Sequence, residues 1–201
     1  KHELEQVLSR DSLPLMFKIH STVLYGKIIK YEGQAELADK YFNEAKDVLL
    51  AVNSKWPKPL ELVQIGNLLN SLEQYQLGYE MLLNVEQQFT HYQDPDFRYQ
   101  LYTNLGHLAY RLGKEKQHIH FRSQALFWAK DLINPYDHAV ALFNSARAYF
   151  FANQDSEAID YFRRTILVAW QAKNQSLVDK SYINLADIYL RQQQITQARV
   201  A

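Results

Sequence analysis

The sequence predicts an all-α protein, a right-handed superhelix of stacked antiparallel helical hairpins, and three observations carry that expectation. Glycine and proline number only 6 and 5 in 201 residues, too few breakers for a chain of short strands and turns. Apolar residues recur at helical spacing, as in Leu62/Ile65/Leu69 and Tyr102/Leu105/Ala109. Small residues repeat every 40 positions, at Gly26, Gly66, Gly106, Ala146 and Ala186, and a second series at Ala38, Gly78, His118, Ala158 and Ala198 keeps the same step.

The period divides the chain, read as one array over 1–201, into units of approximately 19–58, 59–98, 99–138 and 139–178 and a truncated unit 179–201, with a preceding helix and linker over 1–18. In each unit the first helix carries the first small residue, flanked by Tyr25/Ile29, Leu62/Ile65/Leu69, Tyr102/Leu105/Ala109, Leu142/Tyr149 and Tyr182/Leu185/Tyr189. The second helix follows about twelve residues later and carries Tyr41-Phe42 with Ala45, Met81-Leu82 with Val85, Phe121 with Ala125, and Tyr161-Phe162. Between the two lie Gly33, Gly113 and Asn153, residue types that tolerate the left-handed backbone closing a helix. Asp94-Pro95 and Asn134-Pro135 open first helices, with the polar side chain as cap and proline in the first turn; Leu13-Pro14 and Lys58-Pro59 do so less cleanly. Where antiparallel helices cross closely a large side chain would force the axes apart, which explains the small residues. One hairpin cannot bury both its sides, so hairpins stack and leave one concave and one convex surface.

Tyr102-x-x-Leu105-Gly106-x-x-Ala109 and Tyr182-x-x-Leu185-Ala186-x-x-Tyr189 resemble the tetratricopeptide-repeat (TPR) family, and the resemblance covers almost the whole chain. The family's usual unit has 34 residues, so six more per unit imply longer helices, as in its long-repeat members. His118 and Arg122 depart from the pattern, standing where a small residue and an aromatic are expected, which predicts a splayed or register-shifted third hairpin. The resemblance implies a non-enzymatic scaffold or regulatory domain that binds a protein or peptide segment in its concave groove, without a cofactor.

Composition narrows the alternatives. With 22 basic and 22 acidic side chains the formal charge is zero, which disfavours nucleic acid and anionic membrane as partners because either requires surplus cations. Zero cysteines exclude disulfides and thiolate chemistry. No apolar run approaches the ~18 residues of a membrane span. His118 and His120 lie two apart, about 200° around a helix, and cannot share a metal ion. Neither a Gly-rich phosphate loop, a His-Glu-x-x-His motif nor a nucleophile elbow occurs, so no enzymatic activity is expected. The chain begins at Lys1 and stops a third of the way along a helix, which reads as a fragment of a larger protein, assigned to the cytoplasm, with self-association through its open ends expected.

The groove positions implied by the resemblance hold Lys27, Lys30, Arg111, Arg147, Lys180 and Arg191 against one acid, Asp187, which points to an acidic partner. Asn104, Asn144 and Asn184 repeat at 40 residues, two before each small residue. An amide both donates and accepts, so such a ladder can pair with the backbone of an extended segment whatever its sequence; the resemblance implies that role. The competing reading is that each Asn bonds a neighbouring helix and sets the twist. Asn67, with Asn70 and Gln64, extends the polar track, and His107 and Tyr110 lie beside it. Tyr149, Phe162, Tyr182 and Tyr189 are assigned to the core, whereas Phe150 and Phe151 turn about 100° and 200° away from Tyr149, toward groove or solvent, as apolar anchors. A second function fits the same residues: a sensory or dimerisation module of a larger bacterial signalling protein, with its output domain beyond residue 201.

Overall fold

The computed structural model describes residues 15–52 and 59–192, and the fold is all-α. The described residues form nine helices: α1 Leu15–Tyr31, α2 Ala35–Val52, α3 Pro59–Ser71, α4 Tyr75–Gln88, α5 Pro95–Arg111, α6 Glu115–Ala129, α7 Pro135–Phe151, α8 Asp155–Gln171 and α9 Gln175–Arg191. Leu13-Pro14 and Ala198 lie outside the described residues, whereas Pro59 is the first residue of α3. The chain divides into two compact units, one ending at Phe89 and the other beginning at Thr90.

In the first unit α1 packs on α2 and α3 on α4. In the second, each helix from α5 to α9 packs on the next. Its core runs through Phe97, Leu101, Leu105, Leu142, Phe162 and Ile188, all essentially fully buried. Burial of each such side chain stabilises the fold by ~1.5–3 kcal/mol.

Helix starts follow local chemistry. Asp94 accepts a hydrogen bond from the Phe97 amide at 2.7 Å, Asn134 from that of Tyr136 at 3.0 Å, and Asn174 from that of Leu177 at 3.2 Å. Pro95 and Pro135 stand at the first position of α5 and α7. Helix ends share one device: the amides of Gln34, Gln74, Lys114, Gln154 and Asn174 each reach the carbonyl five residues back, at 2.8–3.1 Å. That bond requires a left-handed residue just before the donor. Gly33 (φ 84°), Gly113 (φ 67°) and Asn153 (φ 55°) supply it as the sequence predicts, but so do Glu73 (φ 60°) and Lys173 (φ 54°), which residue type alone does not reveal.

The small residues mark helix crossings. A Cβ built on Gly26 would lie 2.6 Å from the Phe42 ring, and one on Gly66 2.7 Å from the Leu82 side chain. On Gly106 it would meet Arg122 Nε at 3.1 Å. Each partner lies sixteen residues after its glycine, so the third hairpin keeps the register of the other two and is not splayed. His118 fits because its ring is a hydrogen-bonding bridge rather than a wedge: Nδ1 lies 2.7 Å from the Gly106 carbonyl oxygen. Farther along, the Ser145 hydroxyl shares its proton between the Ala141 carbonyl of its own helix at 3.0 Å and the Arg122 carbonyl of α6 at 3.2 Å.

Candidate partner-binding surface

Within the second unit, α5, α6 and α7 enclose a cavity of about 140 Å³ lined by His107, Tyr110, His118, Arg122, Asn144, Arg147 and Phe151. Five of these, His107, Tyr110, Asn144, Arg147 and the apolar anchor Phe151, are nominated by the sequence as contacting a partner. Its mouth carries three exposed side chains, Tyr110, Arg147 and Phe151. They are in contact: the Tyr110 and Phe151 ring centroids are 5.3 Å apart, and the Arg147 guanidinium lies 5.1 Å from the Phe151 centroid. The inner wall is polar and buried. His118 donates to the Gly106 carbonyl, and its ring lies 5.3 Å from Tyr110. Arg122 lays its stem against Gly106 and donates from Nη1 to the Thr103 carbonyl at 3.3 Å.

The electrostatics follow from burial. His118 is pushed down to about 4, chiefly by loss of solvent and then by Arg122, His107 and Arg147, against the opposing effect of its bond to Gly106. His107 is lowered by burial, Arg122 and Arg111. Arg122 falls to about 10 through burial, so it remains a cation near neutral pH. The cavity therefore holds two positive charges and two neutral imidazoles. Among the described residues no group of His, Asp or Glu is placed to hold a metal ion, and no helix is long and apolar enough to cross a membrane.

The other nominated residues are distributed more widely. Asn104 is half-buried on α5 and does not line the cavity. Asn184, half-buried on α9, turns its amide back to donate to the Lys180 carbonyl at 2.6 Å, so only Asn144 of the three faces the cavity. Arg111 is exposed at the end of α5 and close enough to His107 to lower it. The phenylalanine pair divides. Phe151 is exposed, whereas Phe150 is half-buried, with its ring 6.5 Å from Phe162 and the Arg191 guanidinium 4.4 Å from its centroid. Arg191 is itself held by Asp155 at 2.8 Å, so Phe150 and Arg191 serve the α7–α8–α9 packing. Tyr182, assigned to the core from sequence, is 40% exposed, and residues 193–201, which would follow α9, are not among those described.

In the first unit, Lys27 and Asn67 line a mostly apolar cleft of about 470 Å³ between α1 and α3, with Phe17, Leu24 and Leu68. Lys27 and Lys30 border a second, more polar cleft of about 500 Å³ with Asp39 and Glu73. His118 and Arg122 also line the cavity of the second unit but are not among the residues the sequence nominates. Their signal was present: each is polar where the repeat calls for a small or an aromatic residue.

No protein-family model and no curated protein matches the chain. Solved structures match its fold. BtubC (BKLC) from P. vanneervenii has a TM-score of 0.70 and 15% identity, covering 99% of this chain and 82% of that one. A putative kinesin light chain from Podosopora anserina with nearly identical TPR-like repeats has a TM-score of 0.69 and 14% identity over 90% of each chain. A Rap protein complexed with competence and sporulation factor has a TM-score of 0.65 and 17% identity, covering 97% of this chain and 55% of that one. At such identities the likeness is one of fold, and in fold the chain is a TPR-like helical-repeat protein.

Proposed function

We propose that the chain is a non-enzymatic protein-binding repeat domain that takes an extended, acidic segment of a partner across the α5 and α7 faces of its second unit. The observation that carries this reading is the convergence of His107, Tyr110, Asn144 and Arg147 on one cavity. An amide to pair with backbone, a guanidinium to meet a carboxylate, and exposed rings for apolar contact are the elements such a segment needs. Arg147 and Arg111 are both exposed on these helices, so a salt-sensitive contribution to affinity is expected. In the first unit, Lys27 and Asn67 beside the apolar cleft offer a second set of contacts of the same kind.

The experiment is a peptide array of extended acidic and neutral decamers probed with the wild-type chain and with the Asn144→Ala/Arg147→Ala double variant. The reading predicts preferential retention of acidic sequences and a loss of at least about tenfold in affinity in the variant, with an unchanged melting temperature. Equal binding by the two proteins, or a preference for neutral or basic sequences, contradicts it.

A further inference from the structure

Packing does not explain the chemistry of Arg122. Phe42 and Leu82 occupy the equivalent place against Gly26 and Gly66, so a neutral side chain performs the packing in two hairpins of this same chain. Arg122 is 9% exposed, its Nε is buried with no hydrogen-bond partner, and Nη1 makes one long bond to a carbonyl. No carboxylate is among the charges that act on it; those are Tyr99 and a second cation, Arg147. A buried cation without a counter-charge costs several kcal/mol, of the order lost when one partner of a buried pair is removed. What adjoins it is a cavity of 140 Å³, room for about four or five waters or for one carboxylate with a short stem. The walls add the Asn144 amide and the Arg147 guanidinium.

We infer that this cavity is a carboxylate-binding pocket, in which Arg122 at the base, Arg147 at the mouth and the Asn144 amide between them receive a single acidic group. The planar guanidinium fork matches the two oxygens of a carboxylate. The carrier of that group, an acidic side chain of an extended segment, rests on the proposed function; the pocket itself does not. Neither Asp nor Glu is among the residues lining the cavity.

The test titrates sodium acetate into the protein at constant ionic strength balanced with chloride, following the Arg122 Nε–H and Asn144 amide NMR signals. A saturable shift in acetate and a weaker response in phosphate are expected; no saturable response in acetate, or tighter phosphate binding, overturns the assignment. Arg122→Leu installs the residue already present at position 82. The pocket predicts an equal or higher melting temperature and at least about tenfold weaker acetate binding. A purely structural arginine predicts a large drop in melting temperature with the acetate response at Asn144 retained. Should Arg122→Leu fail to fold, that result also favours a structural arginine, and exposed Arg147→Gln supplies the second arm: unchanged acetate binding in it overturns the pocket. Comparing acetyl-Ala-Glu-Ala-amide with acetyl-Ala-Ala-Ala bearing a free C-terminus separates a side-chain carboxylate from a terminal one; tighter binding of the second overturns the side-chain assignment. Acetate binding without any segment binding on the array would leave the pocket standing and remove the proposed function, and the reverse result would do the opposite.

Discussion

His118 Nδ1 lies 2.7 Å from the carbonyl oxygen of Gly106, twelve residues earlier, and so joins the two helices of the third hairpin by a side-chain bond where the other hairpins use small residues. The carbonyl can only accept, so the proton sits on Nδ1 and Nε2 of the neutral ring is an acceptor. The bond explains how an imidazole is accommodated at a crossing that elsewhere holds Ala38, Gly78 or Ala158, all buried.

A pH dependence follows. Folded His118 titrates at about 4, whereas in the unfolded chain it titrates near 6.5. Between those values the unfolded chain holds a proton that the folded one lacks. Stability therefore rises with pH through this window and is lost as pH falls from ~6.5 toward ~4. Allowing for solvent at the cavity mouth, the contribution is roughly 1–2 kcal/mol. Urea melts at several pH values should show the loss, and His118→Gln should flatten it, leaving the smaller slopes due to His107 and His138, which are lowered as well.

Gly66→Ala should destabilise by about 1–3 kcal/mol, because the new methyl would lie 2.7 Å from the Leu82 side chain. Leu82→Ala alone should cost about 2–5 kcal/mol through the cavity it leaves. The double variant should lose less than the sum of the two, since each change relieves the other. Denaturant midpoints for the four proteins check the cycle, and strict additivity would mean that the two residues do not meet at the crossing.

Glu73 and Lys173 close helices in the left-handed region, at φ 60° and 54°. Replacement of either by glycine should stabilise the protein by about 0.5–1 kcal/mol, the relief of left-handed strain exceeding the added freedom of the unfolded chain. Asn153→Gly should gain less, because Asn tolerates this backbone and its side chain accepts a bond from Arg191 at 3.3 Å. Thermal unfolding of the three variants orders them.

Much of the fold was legible because the repeat imposes the same demand at each crossing: Gly26, Gly66 and Gly106 are visible as small residues at a fixed step, and Asp94-Pro95 and Asn134-Pro135 as caps. Glu73 and Lys173 were not legible, since the backbone bond closing each helix dictates the conformation whatever the side chain. The candidate site was half legible. Asn144 follows from the 40-residue repeat and Arg147 from the groove positions that the TPR resemblance implies, but Phe150 shows what rotation angles omit: they give the direction of a side chain, not the neighbour that covers it, here Arg191. His118 and Arg122 looked like defects in a pattern, and in the structure those departures line the cavity.

Binding across α5 and α7 is tested most directly by mapping amide and side-chain NMR perturbations on addition of an acidic decamer retained by the array. The largest shifts are expected on Asn104, His107, Tyr110, Asn144 and Arg147, shrinking as salt is raised. Shifts centred instead on the exposed apolar side chains Phe127, Leu167 and Trp170 of α6 and α8 would contradict that expectation and move the binding surface away from α5 and α7.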